Sequence, residues 1–189
     1  MKNKLYVIGG QSGAGKSTIT GEILKQRNFI LIQTDLIRWA TRNAITGENP
    51  DKHIQRITFK GTATYQLAND PKIQSSIPIE RNDMGEDDLA WLGVVGMINA
   101  YDNTPNISAD ILVEGVAAKP AEIDKLKSKL KNFEIKNPVF LGYSDGPDGL
   151  ASSEALKKEV EKFGFKYFDR ATHPIHEHVQ SVIDYVFGC

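Results

Sequence analysis

Short apolar runs, rich in β-branched residues, recur along the chain and alternate with longer stretches of helical periodicity. The runs are Leu5-Tyr6-Val7-Ile8, Phe29-Ile30-Leu31-Ile32, Ile111-Leu112-Val113, Pro138-Val139-Phe140-Leu141-Gly142 and Phe165 to Phe168. Such continuous runs predict strands buried on both faces, as in a parallel sheet. Between them, helices are predicted over Lys16 to Gln26, Asp35 to about Asn43, Glu86 to about Asn103, roughly Pro120 to Lys131, Ser152 to Phe163 and Pro174 to Phe187. In the first of these, Ile19, Ile23 and Leu24 recur at helical spacing, and Pro174 suits a first helical position. Five strands joined by crossover helices make an open α/β sheet with helices on both faces, a three-layer sandwich.

The pattern is least regular over residues 51 to 84. His53 to Leu67 reads as a helix, and Pro71 and Pro78 punctuate a loop. Beyond them Glu86-Asp87-Asp88 forms an acidic first turn, well placed for a helix dipole, and leads into the strongly apolar Leu89 to Ile98. Residues of about 51–105 are therefore expected to form a helical and loop insertion in a single domain spanning 1–189. Trp39 and Trp91 fall on predicted helices beside apolar neighbours, which suits core or pocket wall better than a stacking platform for bases.

Composition narrows the classes. A hydrophobic share of 40% suffices for a core in one domain of 189 residues. A net charge of −1 argues against an extended nucleic-acid footprint, though a local basic pocket remains compatible with it. The single cysteine, Cys189, excludes an internal disulfide. With no secretory pattern ahead of the first strand and no apolar run of about 18 residues, a soluble, cytoplasmic protein is expected.

Chemistry enters at the end of the first strand. Gly10 to Ser17 reads GQSGAGKS and fits G-x-x-x-x-G-K-[ST] without a mismatch, between a predicted strand and a predicted helix. In that context the backbone N–H groups of Gly10, Gln11, Ser12, Gly13, Ala14 and Gly15 and the following helix start, through Lys16, Ser17 and Thr18, form a concave cage for a polyphosphate. Lys16 would reach the β- and γ-phosphates of a nucleoside triphosphate such as ATP, and the Ser17 hydroxyl would ligate Mg²⁺. A dinucleotide fingerprint starting at Gly13 fails, because it needs a glycine where Thr18 stands.

Ligands of open parallel sheets bind beyond the carboxyl ends of the strands, which brings two further segments to the same rim. Thr34-Asp35-Leu36-Ile37-Arg38 follows the second strand. Asp35 can accept the proton of an attacking hydroxyl, and Arg38 and Arg42 share its helical face, a pairing suited to an anionic acceptor. Asp35 as a helix cap with Arg38 in a surface ion pair is the plainer alternative. Ile111-Leu112-Val113 closes on Glu114, where a carboxylate opposite the phosphate loop can hold Mg²⁺ through water or orient the acceptor. Arg81 lies where an acceptor would sit and is a candidate for its anion. His173, His176 and His178 with Glu177 invite a metal site, but His176 and His178 are two apart on a predicted helix and should diverge. Lys125, Lys127, Lys129 and Lys131 read as a solvated face.

Taken together, GGQSGAGKST, TDLIR and ILVEGVAAKP resemble the P-loop small-molecule and nucleotide kinases, above all the 2-phosphoglycerate kinase-like group with its T-D-x-[IL]-R and apolar-E-G segments. The resemblance covers roughly residues 4 to 42 and 108 to 142. It implies the P-loop NTPase fold, Lys16 and Ser17 at nucleotide and magnesium, Asp35 at the acceptor hydroxyl and Arg38 at the acceptor's anionic group. The sequence departs from such kinases in one respect. They commonly carry an arginine in a lid between the fourth strand and the next helix, whereas here no arginine occurs between Arg81 and Arg170. An arginine finger can be worth roughly 10³-fold in rate. Either Arg170 or a residue of the 51–84 segment substitutes, or turnover is slow. Lys157 and Lys158 are less suited to bidentate phosphate contact.

The expected activity is transfer of the γ-phosphoryl of ATP to a hydroxyl of a small anionic metabolite or nucleotide. An ATP-binding switch with slow hydrolysis, and a polynucleotide-end or toxin-like kinase, are the alternatives. A GTP switch is disfavoured, since no N-K-x-D sequence follows the fourth strand.

Overall fold

The computed structural model describes residues 2–46, 54–59, 62–67, 86–104, 108–144, 146–172 and 175–188. Five strands make the main path of a six-stranded parallel sheet: β1 (Asn3–Gly10), β2 (Ile30–Gln33), β5 (Ile111–Glu114), β7 (Val139–Gly142) and β8 (Lys166–Asp169), in the order β2-β5-β1-β7-β8. Alternate side chains serve opposite faces. Leu5 and Val7 join Ile111, Val113 and Phe140 in one core, while Tyr6 and Ile8 join Leu112, Val139 and Leu141 in the other. The first core is covered by α3 (Glu86–Asn103), α4 (Pro120–Lys127) and α5 (Gly146–Lys162), and the second by α1 (Lys16–Gln26) and α6 (Ile175–Phe187). Trp91 belongs to the first core at 5% exposure, whereas Trp39 on α2 (Thr34–Thr46) is half exposed. The three-layer α/β sandwich is thus the one expected.

Three elements differ from the sequence expectation. Residues 54–59 and 62–67 are not helical: β3 (Ile54–Phe59) and β4 (Thr62–Leu67) pair antiparallel, with Phe59 opposite Thr62. Two residues, Lys60 and Gly61, separate runs rich in Ile and Thr, which is a hairpin signature outweighing the helical spacing. Of the insertion, the helix α3 is present as expected, and Pro71 and Pro78 lie outside the described residues.

The second difference is β6 (Phe133–Ile135), a short strand pairing with Asn3 to Leu5 on the same edge of β1 that β7 takes at Ile8 to Gly10. Asp102, 3% exposed at the end of α3, fixes its approach. The carboxylate accepts from the N–H groups of Lys131 (2.9 Å), Asn132 (2.7 Å) and Phe133 (3.1 Å). Asp102→Ala strips the acceptor from these N–H groups and is expected to destabilise the fold by about 3–5 kcal/mol, read by urea unfolding.

The third is α5, which begins at Gly146 rather than Ser152. Pro147 and Asp148 suit a first turn, and the connection from β7 shrinks to residues 143–145. No arginine occurs in it.

Candidate active site

The phosphate loop leaves β1 at Gly10, where a side chain would collide with the backbone of Leu141, and turns through Gly13 (φ +77°) and Gly15 (φ +88°). Both positive φ values explain why glycine occupies these positions. Gly15 is the N-cap of α1 and no side chain caps that helix, so its first N–H groups face the loop's concavity. Ala14 is buried against the second core, while Ser12, Gly13, Ser17 and Thr18 are exposed. Gln11 ties the loop to the neighbouring connection: its side chain accepts from Tyr143 N–H at 2.6 Å and donates to the Gly149 carbonyl at 3.4 Å.

Lys16 is 6% exposed and donates to the Gln11 carbonyl at 2.6 Å. Burial pushes its pKa below the ordinary 10.5, against the pull of Glu114 and Asp35 and with a further push from Arg38. The same four charges that the sequence nominates thus lie within electrostatic reach of one another.

Glu114 ends β5, 4% exposed. One of its carboxylate oxygens accepts from the Ser17 hydroxyl at 3.3 Å and the other from Gln33 Nε2 at 3.2 Å. An octahedral Mg²⁺ with bonds of about 2.1 Å has ligand–ligand edges of about 3 Å, so Ser17 and Glu114 stand at a spacing that fits that ion. The remaining ligands would be water and phosphate. Among the described residues no group of three or more His, Cys, Asp or Glu could hold a metal by itself. Gln33 was not singled out by sequence; its role follows from the pairing of Gln33 with Glu114 in the β2–β5 register.

Close packing holds this corner. Thr34 is fully buried, its hydroxyl accepts from Ala117 N–H at 3.4 Å, and a side chain at Gly115 (φ +141°) would strike it. α2 therefore starts directly from β2 with Asp35 in its first turn.

Arg38 lies between two carboxylates. Its Nη1 donates to Asp87 Oδ1 at 3.2 Å, and its Nη2 is 3.2 Å from Asp35 Oδ1. That second contact is out of hydrogen-bonding line, and Asp35 Oδ1 is buried without a hydrogen bond among the described residues. Asp87 comes from the first turn of α3, 49 positions along the chain, and no local signal connects it to Arg38. The side chains of Arg42 and Arg81 lie outside the described residues.

Arg170 follows β8 in a 3₁₀ turn (Arg170–Thr172). Its guanidinium donates to the Gly13 carbonyl at 2.5 Å and stands 5.1 Å from the centre of the Tyr143 ring. Asp169 shapes that turn. Its carboxylate accepts from Ala171 N–H and Ser144 at 2.9 Å each, and from Tyr167 at 3.3 Å. Burial raises the Asp169 pKa, but these bonds outweigh it and hold the group below 3.8. Of the C-terminal histidines, His176 is exposed and His178 is buried edge-on to Phe168, so the two diverge; His173 lies outside the described residues.

No protein-family model matches the chain, and neither does any curated protein sequence. Solved structures do. A dephospho-CoA kinase from Campylobacter jejuni superposes with a TM-score of 0.50 at 14% identity, covering 100% of this chain and 99% of that one. A gluconokinase from Sinorhizobium meliloti 1021 gives 0.49 at 16% identity, over 99% and 93%. A shikimate kinase from Aquifex aeolicus gives 0.47 at 13%, over 98% and 96%. The fold is the α/β P-loop NTPase fold. These likenesses are to small-molecule kinases, and they single out no one group among them. Among the described residues no helix is long and apolar enough to cross a membrane.

Proposed function

We propose that this chain is an ATP-dependent phosphotransferase acting on a hydroxyl of a small anionic acceptor, a metabolite or a nucleotide. The observation that carries the reading is the convergence of Lys16, Ser17, Glu114, Asp35 and Arg38 on one rim of the sheet. The loop and Lys16 would bind the polyphosphate, and Ser17 and Glu114 would hold Mg²⁺, which neutralises charge on the phosphate oxygens. Asp35 would accept the hydroxyl proton as that oxygen attacks the γ-phosphorus and ADP leaves. Leu36 and Trp39, exposed on α2 around this carboxylate, offer apolar surface to the acceptor's frame. The structural likeness to small-molecule kinases supports the reading at the level of fold.

One observation favours a second reading. The segment from β7 to α5, residues 143–145, carries no arginine, which suits a slow ATP-hydrolysing switch. Magnesium-dependent ATP turnover separates the two, measured with and without pools of anionic hydroxyl-bearing metabolites, nucleosides and oligonucleotide ends. Stimulation by one pool is expected, and dividing that pool names the acceptor. Turnover indifferent to every pool supports the switch, and stimulation by ends alone supports a polynucleotide kinase.

A further inference from the structure

Glu114 is a buried carboxylate held by neutral groups. It is 4% exposed, and among the described residues no cation pairs with it. Lys16 feels its charge but donates instead to the Gln11 carbonyl at 2.6 Å. A carboxylate out of water needs a donor on each oxygen, or a cation. Ser17 supplies one donor at 3.3 Å, and Gln33 Nε2 supplies the other at 3.2 Å. These two donors part company when an ion enters. The Ser17 hydroxyl is itself a ligand for Mg²⁺, so its bond to Glu114 would give way to the metal. Gln33 is not a ligand, and its N–H would stay on the second carboxylate oxygen.

The register of the sheet builds this contact. Gln33 is the direct partner of Glu114 in the parallel β2–β5 pair, so both side chains leave the same face at the carboxyl edge. An ionised carboxylate can only accept, which fixes the amide with Nε2 towards Glu114. The Gln33 side chain makes no other hydrogen bond among the described residues. We propose that Gln33 is a positioning residue for the metal site: it pins Glu114 Oε2 so that Oε1 faces Ser17 across the magnesium position. The inference deepens the phosphotransferase reading and rests on its magnesium site. Gln33→Met keeps the length of the side chain and removes the donor, which leaves the carboxylate free to turn away from Ser17.

The test is Mn²⁺ binding to the protein–ADP complex, read by electron paramagnetic resonance, with Mn²⁺ standing in for Mg²⁺ at an oxygen site. Wild type, Gln33→Met, Glu114→Ala and the double variant are compared, and metal-free ADP affinity is measured alongside. Gln33→Met is expected to weaken Mn²⁺ binding about 10- to 100-fold with metal-free ADP affinity unchanged. In the Glu114→Ala background the same substitution should cost nothing further. Unchanged Mn²⁺ affinity in Gln33→Met, or a full added loss without Glu114, would overturn the proposal. So would an equal loss of metal-free ADP binding, the mark of a disturbed phosphate loop. If Gln33→Met does not fold, Gln33→Thr takes its place, a β-branched residue that suits a strand and cannot reach the carboxylate. A wild-type complex that binds no more Mn²⁺ than free ADP does removes the magnesium site and the proposal together. Metal binding that responds as expected, without transfer to any acceptor, sinks the phosphotransferase reading alone.

Discussion

Asp35→Asn lowers acceptor phosphorylation by about 10²- to 10⁴-fold, the range a positioned general base supplies. Asn is nearly the same size and Asp35 makes no capping hydrogen bond in the first turn of α2 among the described residues, so the helix keeps its start and the loss is one of chemistry. ATP affinity is expected to hold or tighten slightly, because the Asp35 charge is felt at Lys16, where the polyphosphate would bring negative charge of its own. Rapid-quench transfer assays with the stimulating pool, alongside equilibrium ATP binding, separate the two quantities. Transfer at the wild-type rate would leave Asp35 as a first-turn acid paired with Arg38 and no more. Loss of ATP binding would mean that Asp35 organises the phosphate loop instead. Arg38→Gln is the informative companion, since it frees both carboxylates at once and removes the cation assigned to the acceptor.

What the sequence reveals about this site tracks how local each interaction is. The phosphate loop is legible because each glycine answers a backbone demand within eight residues, as at Gly13 and Gly15 with their positive φ. Asp35 and Glu114 are legible because one follows and the other ends an apolar strand, and parallel strands deliver their carboxyl ends to one rim. Asp87 is not, since its partner is set by how α3 packs on α2, and its acidic neighbours read as a helix-dipole turn. Gln33 is hidden for a similar reason: an amide at a strand end acquires meaning only from the β2–β5 register. The hairpin over 54–67 was legible in principle, through Lys60-Gly61 between β-branched runs, but Ile54, Ile57 and Leu67 also suit a helical reading. Arg170 could be nominated by elimination alone; its contact with Gly13 needs the turn that Asp169 holds together.

That contact bears on the second large effect, at Lys16. The ammonium is buried and held by the Gln11 carbonyl, with its pKa below 10.5 because desolvation outweighs Glu114 and Asp35. In the free protein the unfolded chain holds this proton more tightly than the folded one. The group's contribution to stability is therefore present above 10.5 and lost as pH falls through the lower folded value. A bound triphosphate reverses the balance, because its charge favours the protonated lysine. Affinity for ATP should accordingly be highest where Lys16 is charged, and should fall as pH rises through the depressed value, earlier than an ordinary lysine would allow. Lys16→Ala is expected to weaken ATP binding by roughly 100-fold or more near neutral pH, the loss of charge-assisted hydrogen bonds that nothing in the loop replaces. It should also flatten the pH dependence. Lys16→Arg keeps the charge at high pH but substitutes a planar fork for a compact ammonium in a fitted site, so its binding should hold to higher pH while transfer stays slow. Titrations with a fluorescent ATP analogue from neutral pH to about 10.5 read all three. If Lys16→Ala binds as wild type does, the cage is held by backbone N–H groups and Arg170, and the polyphosphate lies towards Gly13 and away from Glu114.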